Sequence, residues 1–415
     1  MNRQNKLPQE FDHLFRTEAR KMIAVLVKLY GFHRLDLVED IVQDTFLSAL
    51  DSWTLNELPQ NPSAWLYAVA KNKIINQIKR ENNYEKKIKE NIGIFSLEYT
   101  VLSKMEEAKN EIEDTQLKMF FRICNPEIQD DSQVALALKT LCAFSIDDIA
   151  RSFLVSKDTI NKRLFRAREK IRESKMELAF PEPNLIQERT NRVLKCIYLL
   201  FNLGYYSYSN DTVLKKDLCL EAMRLTVLLT ENEKTNLPNV NALLSLMCYH
   251  SSRFESRVSE NGEIFTLDEQ DKTKWSKDLI ERGHYYLSKS ISESNGEYQI
   301  QAMIAYLHTI EDSPSKWSHL LGLFDKLFEI SQSPIVAMNR AYVQSKVLGE
   351  EFALKELLQI KGLENNHLYH LLLSKLYQTK DLDLAKHHLN VCIQYCPSDL
   401  ERNIIKDKMK SLIDK

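Results

Sequence analysis

An all-helical fold is predicted for this 415-residue chain from three observations. It holds only nine glycines and ten prolines, too few turn residues to punctuate a hairpin-rich fold. Apolar residues recur at i, i+3, i+4 and i+7 through one segment after another. The breaks between those segments are short and polar, as in bundles and helical arrays. Length and a hydrophobic content of 44% allow two or three domains, each able to bury a core without metal or disulfide support.

The first predicted helix runs from Phe11 to Tyr30, with Phe15, Ala19, Met22, Ile23 and Leu26 on one face. Asp36 to Trp53 forms the second, with Leu37, Ile41, Phe46, Ala49 and Leu50 as its apolar set. Asn61-Pro62 opens a third, ending near Glu81, because proline is favoured in a first helical turn. These three helices define a module at 8–83. Residues 84–113 mix charges without a firm period and read as a linker with some helix.

The module at 114–178 carries two helices divided near Asn125-Pro126, then a helix-turn-helix pattern. Ser145 and Asp148 have the S-x-x-D form of a helix start, and Ile146, Ile149, Ala150 and Phe153 share a face. After a break at Leu154-Val155, Ser156 caps a second helix whose buried stripe is Ile160, Leu164, Ala167 and Ile171. Its remaining surface holds Lys157, Lys162, Arg163, Arg166, Arg168, Lys170, Arg172 and Lys175 against Asp158, Glu169 and Glu173, a net +5. Such a helix suits a DNA major groove, where phosphates give affinity and base edges give specificity.

Phe180-Pro181-Glu182-Pro183 ends that helix. The stretch 184–415 then reads as amphipathic helices in a tetratricopeptide-like α-solenoid. Tyr369, Leu372 and Leu376 with Ala385, Leu389 and Pro397 fall at the repeat's spacing, although Leu373 stands where the pattern has glycine.

Two opposite charge blocks mark the first module. Asp36, Glu39, Asp40, Asp44 and Asp51 load the second helix with acid, and Asp40, Gln43 and Asp44 share one face. Lys71, Lys73, Lys79 and Arg80 load the third with base, interleaved with Asn72, Asn76 and Gln77, whose amides suit base edges. Trp65 and Tyr67 offer aromatic faces for unpaired bases, or else belong to the core.

Other chemistry is not indicated. Seven cysteines show no paired framework, which fits a reducing cytoplasm. No leader or membrane-spanning run is present in the sequence given, so no membrane partner is expected. His388, Cys392 and Cys396 share a helix face at a zinc-like spacing, but the repeat wants a packed residue at 392, and no metal is expected. Phosphate-loop, H-E-x-x-H and nucleophile-elbow motifs do not occur, so neither a cofactor nor enzyme activity is expected.

The segments Val38 to Phe46, Pro62 to Tyr67 and Ala70-Lys71-Asn72 resemble region 2 of bacterial RNA polymerase sigma factors of the extracytoplasmic-function class. Ser145 to Arg168 resembles region 4 of the same class. Tyr198 to Tyr205, Asp268 to Asp271 with Trp275, Tyr298 to Ala302 and Ser333 to Ala341 are similar to a subgroup with a tetratricopeptide-like C-terminal extension. The resemblance implies that Asp40, Gln43 and Asp44, with Phe46 nearby, dock on a coiled coil of the polymerase largest subunit, and that the polymerase flap is a further contact. It implies that the helix from Trp65 to Arg80 (Trp65, Lys71, Asn72, Lys73, Asn76, Lys79 and Arg80) binds and helps melt promoter DNA. The loop from Thr54 to Asn61 would capture a flipped base. Lys157, Thr159, Asn161, Lys162 and Arg166 match the face that reads the minus-thirty-five element, with Arg163 and Arg168 nearer the buried edge, for phosphate or internal pairing. Residues 184–415 would regulate, through a protein or ligand bound on the repeats. Asn76 stands where relatives often have Asp, and Leu203 where an acidic residue is common. A DNA-binding activator joined to a helical-repeat sensor, and a helical scaffold or an enzyme whose basic helices are incidental, are the rival readings.

Overall fold

The computed structural model describes residues 7–55, 59–80, 105–174, 177–206, 212–257, 265–292, 295–311 and 313–396, with 402, 403, 405, 406 and 409. Among these residues all regular structure is helical. The chain divides into two compact units, Met1–Gly204 with Val213–Thr235, and Tyr205–Thr212 with Asn236–Lys415.

The first unit opens with helix α1 (Leu7–Tyr30), stopped by Gly31, which adopts φ +90° and closes the helix by donating to the Val27 carbonyl at 2.8 Å. A left-handed φ of this kind is available to glycine without steric cost. Helices α2 (Leu35–Leu55) and α3 (Pro62–Arg80) follow, within two residues of the bounds the periodicity predicts. Met22, Leu26, Val38, Ala49, Leu66 and Ile74 are fully buried where these three meet. Phe15 and Phe46 seal α1 to α2 edge to face at 4.6 Å.

Helix α4 (Met105–Ile123) begins inside the stretch read as linker, and α5 (Asp130–Thr140) is buried along most of its length. Next come α6 (Ile146–Phe153) and α7 (Lys157–Glu173). Both start as the sequence predicts. Ser145 accepts from the Asp148 amide at 3.1 Å, and Ser156 from the Thr159 amide at 3.2 Å. The turn between them pivots on Leu154, whose αL backbone (φ 53°) is uncommon for a leucine, and whose side chain is exposed. The predicted stripe Ile160, Leu164, Ala167 and Ile171 is buried throughout.

Helices α8 (Ile186–Tyr205) and α9 (Thr212–Glu231) lie almost wholly within this same unit. Glu221 pairs with Arg20 of α1 at 2.8 Å, and Arg224 donates to the Leu141 carbonyl at 2.8 Å. Arg189 donates to the Phe121 carbonyl at 2.6 Å. Gly204 is needed where α8 meets α9, because a Cβ there would lie 2.6 Å from the Lys215 carbonyl oxygen. The basic helix stops at Glu173 with Ser174 as its cap, ahead of the proline pair at 181 and 183, and the compact unit continues about fifty residues beyond those prolines.

The second unit begins on α10 (Pro238–Ser251), buried from Val240 to Tyr249, and the short α11 (Phe254–Arg257). Two 3-10 turns, Leu267–Glu269 and Lys272–Lys274, lead into α12 (Lys277–Lys289). Neighbouring helices then pack in order: α13 (Glu297–Leu307), α14 (Pro314–Ser331), α15 (Pro334–Val347), α16 (Glu350–Leu357), α17 (His367–Tyr377) and α18 (Leu382–Tyr395). Apolar clusters form between successive helices, Ile300, Leu320, Phe324 and Val343 joining α13, α14 and α15, and Met338, Ala353, Leu357, Leu373 and Leu376 joining α15, α16 and α17. Serial clusters of this kind are how a helical array replaces one central core. Of the predicted repeat positions, Tyr369, Leu376, Ala385 and Leu389 are buried, Leu372 is partly so, and Pro397 lies outside the described residues.

Candidate polymerase and nucleic-acid interfaces

Helix α2 sorts its residues cleanly. Val38, Ile41, Val42, Thr45, Phe46 and Ala49 face inward, whereas Asp40, Gln43, Asp44 and Asp51 are exposed. Phe46, at 2% exposure, belongs to the core and not to the exposed acidic face. In its place Leu47 and Leu50 stand out, 52% and 42% exposed beside those acids. The face thus combines carboxylates with apolar patches, suited to a basic, partly apolar helix surface. The apolar pattern at i, i+4 groups Leu50 with the core, because it does not say how wide the covered stripe is. Partial desolvation raises the Asp40 carboxyl above its usual range, with Arg168 opposing and Asp36 and Asp44 adding to the rise.

Helix α3 presents less base than its sequence offers. Lys73 is committed to α2, donating to the Asp44 carbonyl at 2.7 Å and the Ser48 hydroxyl at 2.9 Å. Asn72 and Asn76 are exposed and Lys71 is half-buried; the side chains of Lys79 and Arg80 lie outside the described residues. Trp65 is half-buried against Trp53, ring centroids 5.4 Å apart, with part of its surface still open. Tyr67 is 4% exposed, so it packs in the core and offers no face for a base. Residues 56–58, within the loop assigned to base capture, lie outside the described residues.

Helix α7 separates into two edges. Asn161, Lys162 and Arg166 are exposed and hold no ion pair or side-chain hydrogen bond among the described residues. Phe165 sits between them at 62% exposure, an aromatic that the charge count passed over. Lys157 is also exposed and pairs with Asp147, and the Thr159 hydroxyl lies 2.9 Å from that of Ser156 in the helix cap. On the other edge the cations are already used. Arg163 pairs with Asp131 at 2.9 Å and lies over the Phe153 ring. Arg168 reaches α2, meeting Asp36 at 2.8 Å and Glu39, while Arg172 meets Asp36 at 3.5 Å. Glu39 is buried and also accepts from the buried Thr140 hydroxyl at 2.6 Å. The acidic and basic helices are therefore joined along one edge of each, and Asp40, Asp44, Lys162 and Arg166 stay exposed.

The chain is 31% identical to the uncharacterized protein R00370 of Rhizobium meliloti over 335 residues, covering 78% of this chain and 77% of that one. The chain belongs to the family of that protein. Residues 14–84 match the family Sigma-70 region 2, and 189–291 match a family of unknown function (DUF6596). The chain is also 25% identical to RNA polymerase sigma factor YlaC of Bacillus subtilis over 143 residues, 34% of this chain and 79% of that one. No solved structure matches.

The N-terminal module is thus a sigma-70 region 2 domain, and with the Bacillus relative it supports a sigma factor for transcription initiation. The region 2 match covers α2 and α3, so it includes both the exposed acidic face and the exposed amides. Such a domain implies core RNA polymerase and promoter DNA as partners. No helix among the described residues is long and apolar enough to cross a membrane. At the other end of the chain, Cys392 and Cys396 pack with Leu389 and Ile405 in an apolar cluster, and His388 stacks on His370 and Tyr377.

Proposed function

We propose that this protein is a sigma factor of the extracytoplasmic-function type, which joins core RNA polymerase and directs it to a two-part promoter. The exposed face of α2, with Asp40, Gln43, Asp44, Leu47 and Leu50, takes the polymerase coiled coil. Helix α3 meets the promoter's upstream-of-start element through Asn72, Asn76 and the open part of Trp65. Helices α6 and α7 form the helix-turn-helix of region 4, and Asn161, Lys162 and Arg166 read the minus-thirty-five element. The protein contributes binding and orientation, and the polymerase performs the chemistry. The helix pairs after Asn236 form a scaffold for a regulatory protein or ligand.

The observation that carries this reading is the pairing, on one chain, of a Sigma-70 region 2 match with an exposed carboxylate-and-leucine face inside it. A DNA-binding activator has no use for that face. Reversing two of its charges in an Asp40→Arg, Asp44→Arg variant puts like charges against a basic partner, which costs several kcal/mol. Core-polymerase affinity, measured by fluorescence anisotropy, is expected to fall on the order of 100-fold. Thermal stability should change little, because both positions are exposed. Unchanged core affinity would remove α2 from the polymerase interface.

A further inference from the structure

Arg253, at the start of the short α11, is 9% exposed, and no carboxylate pairs with it among the described residues. Its Nη2 bonds to the His250 ring, its guanidinium lies 5.8 Å from the centre of the Trp275 ring, and its Nε is buried with no acceptor. Trp275 is 6% exposed, and its indole nitrogen likewise has no acceptor. Lys272 lies over the same ring at 5.8 Å. Lys316, 3% exposed, donates to the Ile310 carbonyl at 3.0 Å.

These cations converge electrically on the same place. Burial holds the His308 imidazole down at about 3, with Arg253, Lys316 and Lys272 lowering it further and Asp268 opposing them. Burial, then Arg253, Arg257 and His308, hold His250 well below its usual value. The carboxylate in the group, Asp268, is engaged by the Tyr342 hydroxyl and lies 3.9 Å from Lys375. Glu269 and Asp271 are turned to Thr266 and Thr273 in their own 3-10 turns.

A buried guanidinium without a counter-ion is costly, and buried N–H groups almost always have an acceptor. Arg253 Nε and Trp275 Nε1 are two such donors, on side chains that stack against each other. We infer that Arg253 and Trp275, with Lys272, form a binding site for a small carboxylate- or phosphate-bearing molecule in the second compact unit. The guanidinium fork and the indole N–H bind the anion's oxygens, and Lys272 neutralises part of the remaining charge. Arg253, Lys272 and Trp275 all lie within the match to the family of unknown function, and the inference is independent of the reading of the N-terminal modules.

The full chain, melted in sodium phosphate, sodium malonate or sodium chloride at matched ionic strength, tests this. Phosphate, malonate or both should raise the Tm saturably, by about 2–4 °C at roughly five times Kd, and chloride should not. The two salts distinguish a phosphate ligand from a carboxylate one. Arg253→Gln should abolish the rise without lowering the Tm measured in chloride, since it removes an uncompensated charge. Should that variant fail to fold, Trp275→Phe keeps the ring, removes the N–H, and should still weaken the response, while Arg282→Gln on the surface of α12 should leave it intact. No saturable rise with either anion, or an equal rise in parent and variants, overturns the site; so does an Arg253→Gln protein that folds but melts far below the parent in chloride, which makes the guanidinium purely structural.

Discussion

Reversing charge at Lys162 and Arg166 together is expected to lower promoter affinity and promoter-directed transcription on the order of 30-fold or more. Each cation that meets DNA is worth about 1–3 kcal/mol, so losing two and adding repulsion exceeds about 2 kcal/mol. The salt dependence should become shallower, the slope of log affinity against log salt dropping by about two. Stability should hardly move, because both side chains are exposed and without partners among the described residues. That contrast separates a DNA-reading face from a merely solvated one: a double variant that transcribes like the parent makes α7 an ordinary bundle helix. Arg163→Glu and Arg168→Glu should behave in the opposite sense and cost stability first, because both arginines are committed to ion pairs inside the unit.

Removing the buried carboxylate of Glu39 is expected to destabilise the first compact unit strongly. Glu39 joins the Thr140 hydroxyl and the Arg168 guanidinium, and so ties α2 to α5 and α7. Taking one partner from a buried pair costs about 3–5 kcal/mol, since the remaining charge and hydroxyl lose their acceptor. The low end, about 3 kcal/mol, applies to Glu39→Ala, because Asp36 still faces Arg168 at 2.8 Å. For a unit of roughly 200 residues that is a Tm fall of about 6–12 °C. A double-mutant cycle with Arg168→Ala should show coupling of at least about 1 kcal/mol. Strict additivity would mean that the two helices are held together by something else.

The contrast between Arg166 and Arg168 shows how far the residues alone can be read. Periodicity places Ile160, Leu164, Ala167 and Ile171 inward, and short-range capping fixes both serine starts, because these effects act within one or two turns. It leaves Arg168 near the buried edge without naming its partner, since Glu39 lies 129 positions away. Lys73 is a similar case, its ammonium drawn onto the back of the acidic helix by a carbonyl and a hydroxyl that no charge count includes. Phe46 is buried with the apolar set, whereas Leu50, of the same set, is exposed, because the pattern does not say where the covered stripe of α2 ends. Domain extent was least legible. A proline pair reports only that no helix runs through it, whereas the packing of α8 and α9 onto α1, α4 and the end of α5 depends on Glu221, Arg189 and Arg224 finding distant partners. The region around Arg253 and Trp275 was visible only as a polar, motif-like stretch, because its chemistry lies in what those groups lack in three dimensions.

Run-off transcription on genomic DNA fragments, with purified core RNA polymerase and the full chain, decides the matter most directly. A defined start site that requires the chain, disappears in the Asp40→Arg, Asp44→Arg variant through lost core binding, and disappears in the Lys162→Glu, Arg166→Glu variant through lost promoter binding is the expected result. A chain that protects DNA by itself, and neither associates with core polymerase nor changes where transcription begins, would contradict it.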